Sequence, residues 1–200
     1  MSIPLIVATG NPGKLREFEQ FFQQLGCHPW QLQLKPAELD VDETGQTFAD
    51  NALLKARGVA TALGEWAIAD DSGLAVDALN GAPGVHSARY APTTAERNSK
   101  LLQALEGSGD RAACFICEIV LCRPDGSVAA TATGRCRGEI APDLQGSGGF
   151  GYDPLFYVPE AGMTFAQMSP EQKQRLGHRG KALQQLRSRL QDLDFATLQQ

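Results

Sequence analysis

The chain has 200 residues, 42% hydrophobic and 20% charged, with 18 Lys and Arg against 23 Asp and Glu for a formal net charge of −5. This length suits one domain, or two lobes sharing a core, without disulfide staples. The acidic balance argues against a nucleic-acid coat, yet leaves room for a small anionic ligand held by a local group of Lys and Arg. No apolar run reaches transmembrane length, and Met1 to Ala8 lacks the basic and apolar segments of a secretion signal. Five cysteines cannot all pair internally, so a cytoplasmic protein with free thiols is expected.

Ile3 to Ala8 reads as a buried strand, and Thr9-Gly10-Asn11-Pro12-Gly13 as a turn. Lys14 to Leu25 is predicted helical, with Leu15, Phe18, Phe22 and Leu25 on one stripe. A strand is expected within Gln31 to Lys35. Thr47 to Leu63 is a second predicted helix, capped by Thr47 or Thr44. Ala67 to Ala69 and Ala75 to Asp77 read as short strands around a turn at Asp70-Asp71-Ser72-Gly73. Thr93 to Leu105 is a third helix. Arg111 to Arg123 and Ser127 to Arg137 form a hairpin through Pro124-Asp125-Gly126. Gly146 to Pro154 is a glycine-rich loop, followed by a strand at Leu155 to Val158. Phe165 to Met168 and Pro170 to Arg175 are short helical pieces, and Gly180 to Leu193 is a terminal helix. Alternating helices and strands interrupted by a long hairpin indicate an α/β fold with a mixed sheet.

Five segments hold residue types that carry chemistry. Asp70 and Asp71 repel each other unless hydrogen bonds or a cation relieve them, and such oxygens suit magnesium; the other reading is an Asx-turn. Thr9 to Lys14, between a strand and a helix, offers backbone N–H groups and an ammonium to a phosphate, or is a tight turn with a solvated lysine. It is not a Walker loop, because Leu15 stands where a Ser or Thr would meet magnesium. Asn51 and Lys55, one helical turn apart with Glu43 just outside that helix, either face one site together or belong to a solvated amphipathic helix. Phe150 and Tyr152 in a glycine loop are a stacking surface for a planar base or a hydrophobic plug. Lys173, His178, Arg179 and Lys181 are a basic group before the last helix, for phosphate or for solvent. Cys114 and Cys117 have CxxC spacing, but on a strand they point to opposite faces, which favours core packing over metal.

Taken in order, these strings resemble the nucleoside-triphosphate pyrophosphatases that clear inosine and xanthosine triphosphates. The matching stretches are Ala8-Thr9-Gly10-Asn11 with Gly13-Lys14, Glu43-Thr44-Gly45 with Thr47-Phe48, Asn51-Ala52 with Lys55-Ala56, Ala69 to Leu74, Pro83 to Tyr90, Gly149 to Pro154, and His178-Arg179. They span almost the whole chain. The resemblance implies a two-lobed fold, residues 1–200 forming one such domain with a mixed central sheet flanked by helices and the active site in the cleft between lobes. It implies magnesium as cofactor, a homodimer, and neither nucleic acid nor membrane as partner. It implies hydrolysis of ITP, dITP and XTP to monophosphate and pyrophosphate, which removes them from the nucleotide pool. Asp71 matches the catalytic acid, and Glu43 with Asp71 the metal carboxylates. Thr9, Gly10, Asn11, Pro12, Gly13 and Lys14 match the phosphate-side loop. Ser72, Phe150, Gly151, Tyr152, Asp153, Lys173, His178 and Arg179 match further substrate contacts. Two positions depart from the family pattern: Asp50 stands for a Glu, and Gly177 for a Ser. The alternatives are a nucleotide-binding regulatory module without catalysis, which would not need Glu43 and Asp71 together, and a pyrophosphatase for a different modified nucleotide.

Overall fold

The computed structural model describes residues 2–26, 28–191 and 193. Seven strands form one mixed sheet in the order β2-β1-β3-β4-β5-β6-β7. They are β1 (Ile3–Val7), β2 (Trp30–Leu34), β3 (Trp66–Val76), β4 (Ala112–Cys122), β5 (Val128–Ile140), β6 (Phe156–Val158) and β7 (Met163–Thr164). Strand β1 is parallel to both β2 and β3, whereas β5–β6 and β6–β7 are antiparallel. The helices are α1 (Pro12–Gln24), α2 (Phe48–Leu63), α3 (Thr94–Ala104), α4 (Pro170–Leu176) and α5 (His178–Gln191), with 3-10 turns at Asp77–Leu79, Gly84–Arg89 and Phe165–Gln167.

The chain divides into two compact units. The first takes the described residues of Met1–Asp71, Glu118–Thr133 and Ala182–Gln200, and the second Ser72–Cys117 and Gly134–Lys181. In the first, α2 presents Ala52, Ala56, Val59 and Ala60 to the sheet residues Ile6, Ala8, Ala67 and Ala69. Small side chains on that helix face let it lie close against the sheet. In the second, Phe115, Phe156 and Phe165 pack with Leu101 and Leu105. The Phe115 and Phe156 rings meet edge to face, 4.7 Å between centroids. Phe156 and Phe165 are removed from water almost completely, and burying a side chain of this size contributes about 1.5–3 kcal/mol.

Local sequence signals explain the helix starts. Asn11 caps α1 with Pro12 as the first helical residue, where a missing N–H costs nothing. Thr47 with Asp50, Thr93 with Glu96, and Ser169 with Gln172 form capping boxes on α2, α3 and α4. Asp50 therefore serves as a cap: its carboxylate accepts from the Thr47 N–H.

Three sequence expectations are corrected. Helix α1 begins at Pro12, two residues before the expected start, so Pro12 and Gly13 are helical and not part of a turn. Helix α5 begins at His178, so His178, Arg179 and Lys181 lie within its first turns and not ahead of it; it ends at Gln191, short of the expected Leu193, which is a bend, and Asp192 lies outside the described residues. The third correction concerns Asp70-Asp71-Ser72-Gly73. There is no turn: β3 runs unbroken through all four residues. The four described cysteines, Cys114, Cys117, Cys122 and Cys136, are buried and not joined in disulfides; Cys27 lies outside the described residues.

Candidate active site

Strand β3 outruns its neighbour. Its pairing with β1 matches Leu5, Ile6 and Val7 to Trp66, Ala67 and Ile68, and the Ala8 N–H donates to the Ile68 carbonyl. Ala69 comes next and then Asp70 and Asp71, beyond the carboxyl end of β1. Here β1 is flanked by β2 on one side and β3 on the other, the kind of switch point at which open α/β sheets bind ligands.

Alternation along β3 sends the two carboxylates to opposite faces. Asp71 continues the Ala67 and Ala69 face covered by α2. There the Lys55 Nζ lies 3.5 Å from Asp71 Oδ1 and 2.7 Å from Glu43 Oε1. The Asn51 amide donates to Asp71 Oδ2 at 3.3 Å. Asn51 Oδ1 in turn accepts from the Gly45 N–H at 2.8 Å, so one buried amide ties the Glu43 segment to Asp71. A Cβ at Gly45 would stand 2.7 Å from Asn51 Oδ1; only glycine lets this segment lie so close. Asp70 instead meets Lys14 of α1, with 2.9 Å between Nζ and Oδ2.

Asp71 is buried, and burial pushes its carboxyl above the ordinary aspartate value; Lys55 and Lys14 pull it back, Glu43 pushes further, and the Asn51 hydrogen bond lowers it. Burial pulls the Lys55 ammonium down, but Asp71, Asp70 and Glu43 more than offset that, and its pKa is raised.

The phosphate-side loop differs from expectation in how its amides are used. The Asn11 N–H donates to Thr9 Oγ1, and the Gly13 and Lys14 N–H groups donate to Asn11 Oδ1. The loop's own side chains occupy these amides. The charged group it offers is the Lys14 ammonium.

The second unit builds a different group around the Gly148–Asp153 loop. Asp153 is buried, and its Oδ2 accepts from the Phe150 N–H at 2.7 Å and from Lys173 Nζ at 2.6 Å. Lys173 Nζ lies 4.7 Å over the centre of the Phe150 ring. Phe150 is 37% exposed, whereas Tyr152 is 4% exposed. Tyr152 belongs to the core, and its hydroxyl donates to the Ser87 carbonyl at 3.0 Å. The two aromatics expected to share a stacking surface therefore separate: Phe150 faces out, while Tyr152 anchors the loop from inside. Gly149 and Gly151, which flank Phe150, both take positive φ, 70° and 61°.

His178 and Arg179 are both buried. The His178 imidazole stacks on Phe115 at 4.6 Å with 9° between planes. An Arg179 N–H donates to Ser72 Oγ at 2.8 Å, and its guanidinium carbon lies 6.0 Å from the Phe150 ring centre. Gly177, an extended residue between α4 and α5, donates its N–H to the Lys173 carbonyl. That short connection turns the chain so that Lys173, His178 and Arg179 come from two successive helices. Asp153, His178 and Arg179 are thus seated in the protein, and Phe150 is the most open of the set.

Asn51 and Lys55, singled out by their helical spacing without a role, prove to be the partners of Asp71. Asn98 of α3 escaped notice: it is 5% exposed, and its amide donates to the Gly151 carbonyl. A polar residue three places before the buried Leu101 was the available signal.

The α/β fold thus carries carboxylates paired with lysines in the first unit, and an exposed ring beside a lysine and an arginine in the second. The chain belongs to the Ham1 family, whose family model matches residues 5–189. It is 57% identical over 182 residues to a dITP/XTP pyrophosphatase of Synechocystis sp., covering 91% of this chain and 92% of that one. It is 59% identical over 178 residues to a dITP/XTP pyrophosphatase of Nostoc sp., covering 89% of each. Among solved structures, a HAM1 protein from Coxiella burnetii superposes with a TM-score of 0.87 at 40% identity, over 96% of this chain and 100% of that one. The Ham1 protein of Staphylococcus aureus gives 0.84 at 41% identity, over 94% and 98%.

Proposed function

We propose that the protein hydrolyses the triphosphates of non-standard purine nucleosides, ITP, dITP and XTP, to monophosphate and pyrophosphate, and so removes them from the pool that feeds DNA and RNA synthesis. The observation that carries this reading is the buried Asp71 carboxylate, raised in pKa, with one oxygen met by Asn51 and the other by Lys55. The names and identities of the relatives support the same reading.

In this reading Asp71 accepts a proton from water as the water oxygen attacks the α-phosphorus. The bond from that phosphorus to the bridging oxygen breaks, and pyrophosphate leaves. A raised carboxyl is closer to the operating pH and is a better proton acceptor than an ordinary aspartate. Lys14 stabilises charge on the leaving pyrophosphate, and Lys173 adds a second cation on the base-side unit. Phe150 stacks on the base. Arg179 donates to a 6-keto oxygen, which adenine lacks.

Magnesium, the expected cofactor, fits the donor set. Among the described residues no group of three or more His, Cys, Asp and Glu side chains is gathered for a metal, and magnesium takes one or two carboxylates together with substrate phosphates rather than a cage of protein ligands. Glu43 and Asp71, which already share the Lys55 cation, would hold it. When bound it would neutralise the polyphosphate and polarise the α-phosphorus. A homodimer in the cytoplasm completes the reading; among the described residues no helix is long and apolar enough to cross a membrane.

The test is pyrophosphate release across ITP, XTP, dITP, ATP, GTP and dTTP, with magnesium and with excess EDTA. Turnover of ITP, XTP and dITP at least tenfold above ATP, abolished by EDTA, is expected. Binding without pyrophosphate release would leave a regulatory module, and a preference for dTTP would mark a different nucleotide. A pH profile adds a sharper check. Lys55 holds the Asp71 carboxyl down, so Lys55→Met raises it further, and the acid limb of kcat/KM moves to higher pH. An unmoved limb would remove Asp71 as the titrating base.

A further inference from the structure

We infer that Asn98 is a positioning residue for base recognition: by gripping Gly151 from α3, it fixes the loop that presents Phe150. The inference rests on the reading that the Phe150 ring stacks on the base.

The loop from Gly149 to Asp153 is a difficult place to fix a ring. Gly149 and Gly151 both sit at positive φ on either side of Phe150, and glycine backbone has the widest conformational freedom of any residue. Phe150 itself is substantially exposed, so core packing does not hold it. Hydrogen bonds from several parts of the second unit set its position, and three of them involve side chains. Asp153 accepts the Phe150 N–H. The Tyr152 hydroxyl donates to the Ser87 carbonyl. The Asn98 amide donates to the Gly151 carbonyl at 3.2 Å. Asp153 lies within the loop and is itself held by Lys173 of α4, while Ser87 holds the far end of the Tyr152 side chain. Asn98 grips the main chain at the glycine directly after Phe150, from a helix 53 residues away in sequence.

The other half of the same carboxamide identifies this as more than packing. Asn98 Oδ1 is buried and accepts no hydrogen bond among the described residues. A buried acceptor left unmatched disfavours folding, so an apolar side chain would serve the core better here. What Asn98 supplies and an apolar residue does not is the donor to Gly151. A ring held in its bound position before the ligand arrives loses less entropy on binding, which improves affinity without a new contact.

A double-mutant cycle with Phe150 tests this, using ITP, magnesium and the full-length protein. Phe150→Ala is expected to raise KM about tenfold to a hundredfold, the range for lost base stacking. Asn98→Ala in the wild-type background is expected to raise KM about five- to tenfold with kcat within about twofold, the signature of lost ground-state binding. In the Phe150→Ala background the same substitution should change KM by less than about twofold, because the ring it positions is gone. An equal factor in both backgrounds, or a loss of kcat and Tm at unchanged KM, overturns the role of Asn98. If Phe150→Ala leaves KM unchanged while pyrophosphate release persists, the stacking reading fails and the inference falls with it, with the hydrolase assignment intact. Should Asn98→Ala not fold, Asn98→Ser enters the same cycle, being polar but too short to reach Gly151.

Discussion

Asp71→Asn yields a folded protein that releases pyrophosphate from ITP about a thousandfold more slowly, within the range for loss of a general base. The amide keeps the shape of the carboxylate but neither takes a proton nor holds a cation. Folding survives for an electrostatic reason. Burial raises the Asp71 carboxyl above its ordinary value. The contribution of such a group to stability is greatest below its unfolded pKa, and is lost as pH rises through the higher folded value. At neutral pH the ionised form is therefore a burden on the fold that the amide removes, although Lys55 loses one partner. Tm at pH 7 is expected to equal or exceed that of the wild type, and calorimetric titration should still detect ITP, since Lys14, Lys173 and Phe150 remain. Near-wild-type pyrophosphate release by this variant would overturn the assignment of Asp71.

Arg179→Ala is expected to lower the ratio of kcat/KM for ITP to that for ATP at least tenfold. A site that donates to a 6-keto oxygen meets an amino group in adenine, so donor faces donor, and such mismatches discriminate strongly. Removing the guanidinium removes the mismatch along with the favourable contact, so ITP should lose far more than ATP. Arg179→Lys keeps the charge without the planar fork of donors and should fall between the two. The same change removes a donor from Ser72 Oγ. If both substrates lose equally, Arg179 acts through Ser72 and not on the base.

Most helices could be read from the chain because their caps are local chemistry. Thr47 with Asp50 and Thr93 with Glu96 are visible three residues apart, and the apolar stripes follow them. The start of α1 was legible too: Asn11-Pro12 is a cap followed by a first-turn proline, but the neighbouring glycines pulled the reading toward a turn. Strand β3 was not legible at its centre. Asp-Asp-Ser-Gly is turn-forming by composition, and only distant partners make it a strand. Lys14 and Lys55 relieve the acids from opposite faces, and the Ser87 hydroxyl accepts the Leu74 N–H. No window of ten residues contains them.

The candidate site divides in the same way. The spacing of Asn51 and Lys55 on one helix face is a local signal, and the structure brings both to Asp71. The separation of Phe150 from Tyr152 is not local, because exposure depends on Ser87, Asn98 and Lys173, which lie 63, 52 and 23 residues from Phe150. Two aromatics two residues apart in an irregular loop give no hint which one faces out.

The buried cysteines have a chemical consequence for working life. Burial pushes the thiols of Cys114 and Cys122 up, and that of Cys136 up to about 11. At neutral pH roughly one Cys136 side chain in ten thousand is then a thiolate, the form that attacks oxidants. These three sulfurs sit low on the oxidation ladder and have little means of climbing it while the protein is folded. Their vulnerability to peroxide is tied to the rate of local opening, so oxidative inactivation through them would follow unfolding and not precede it.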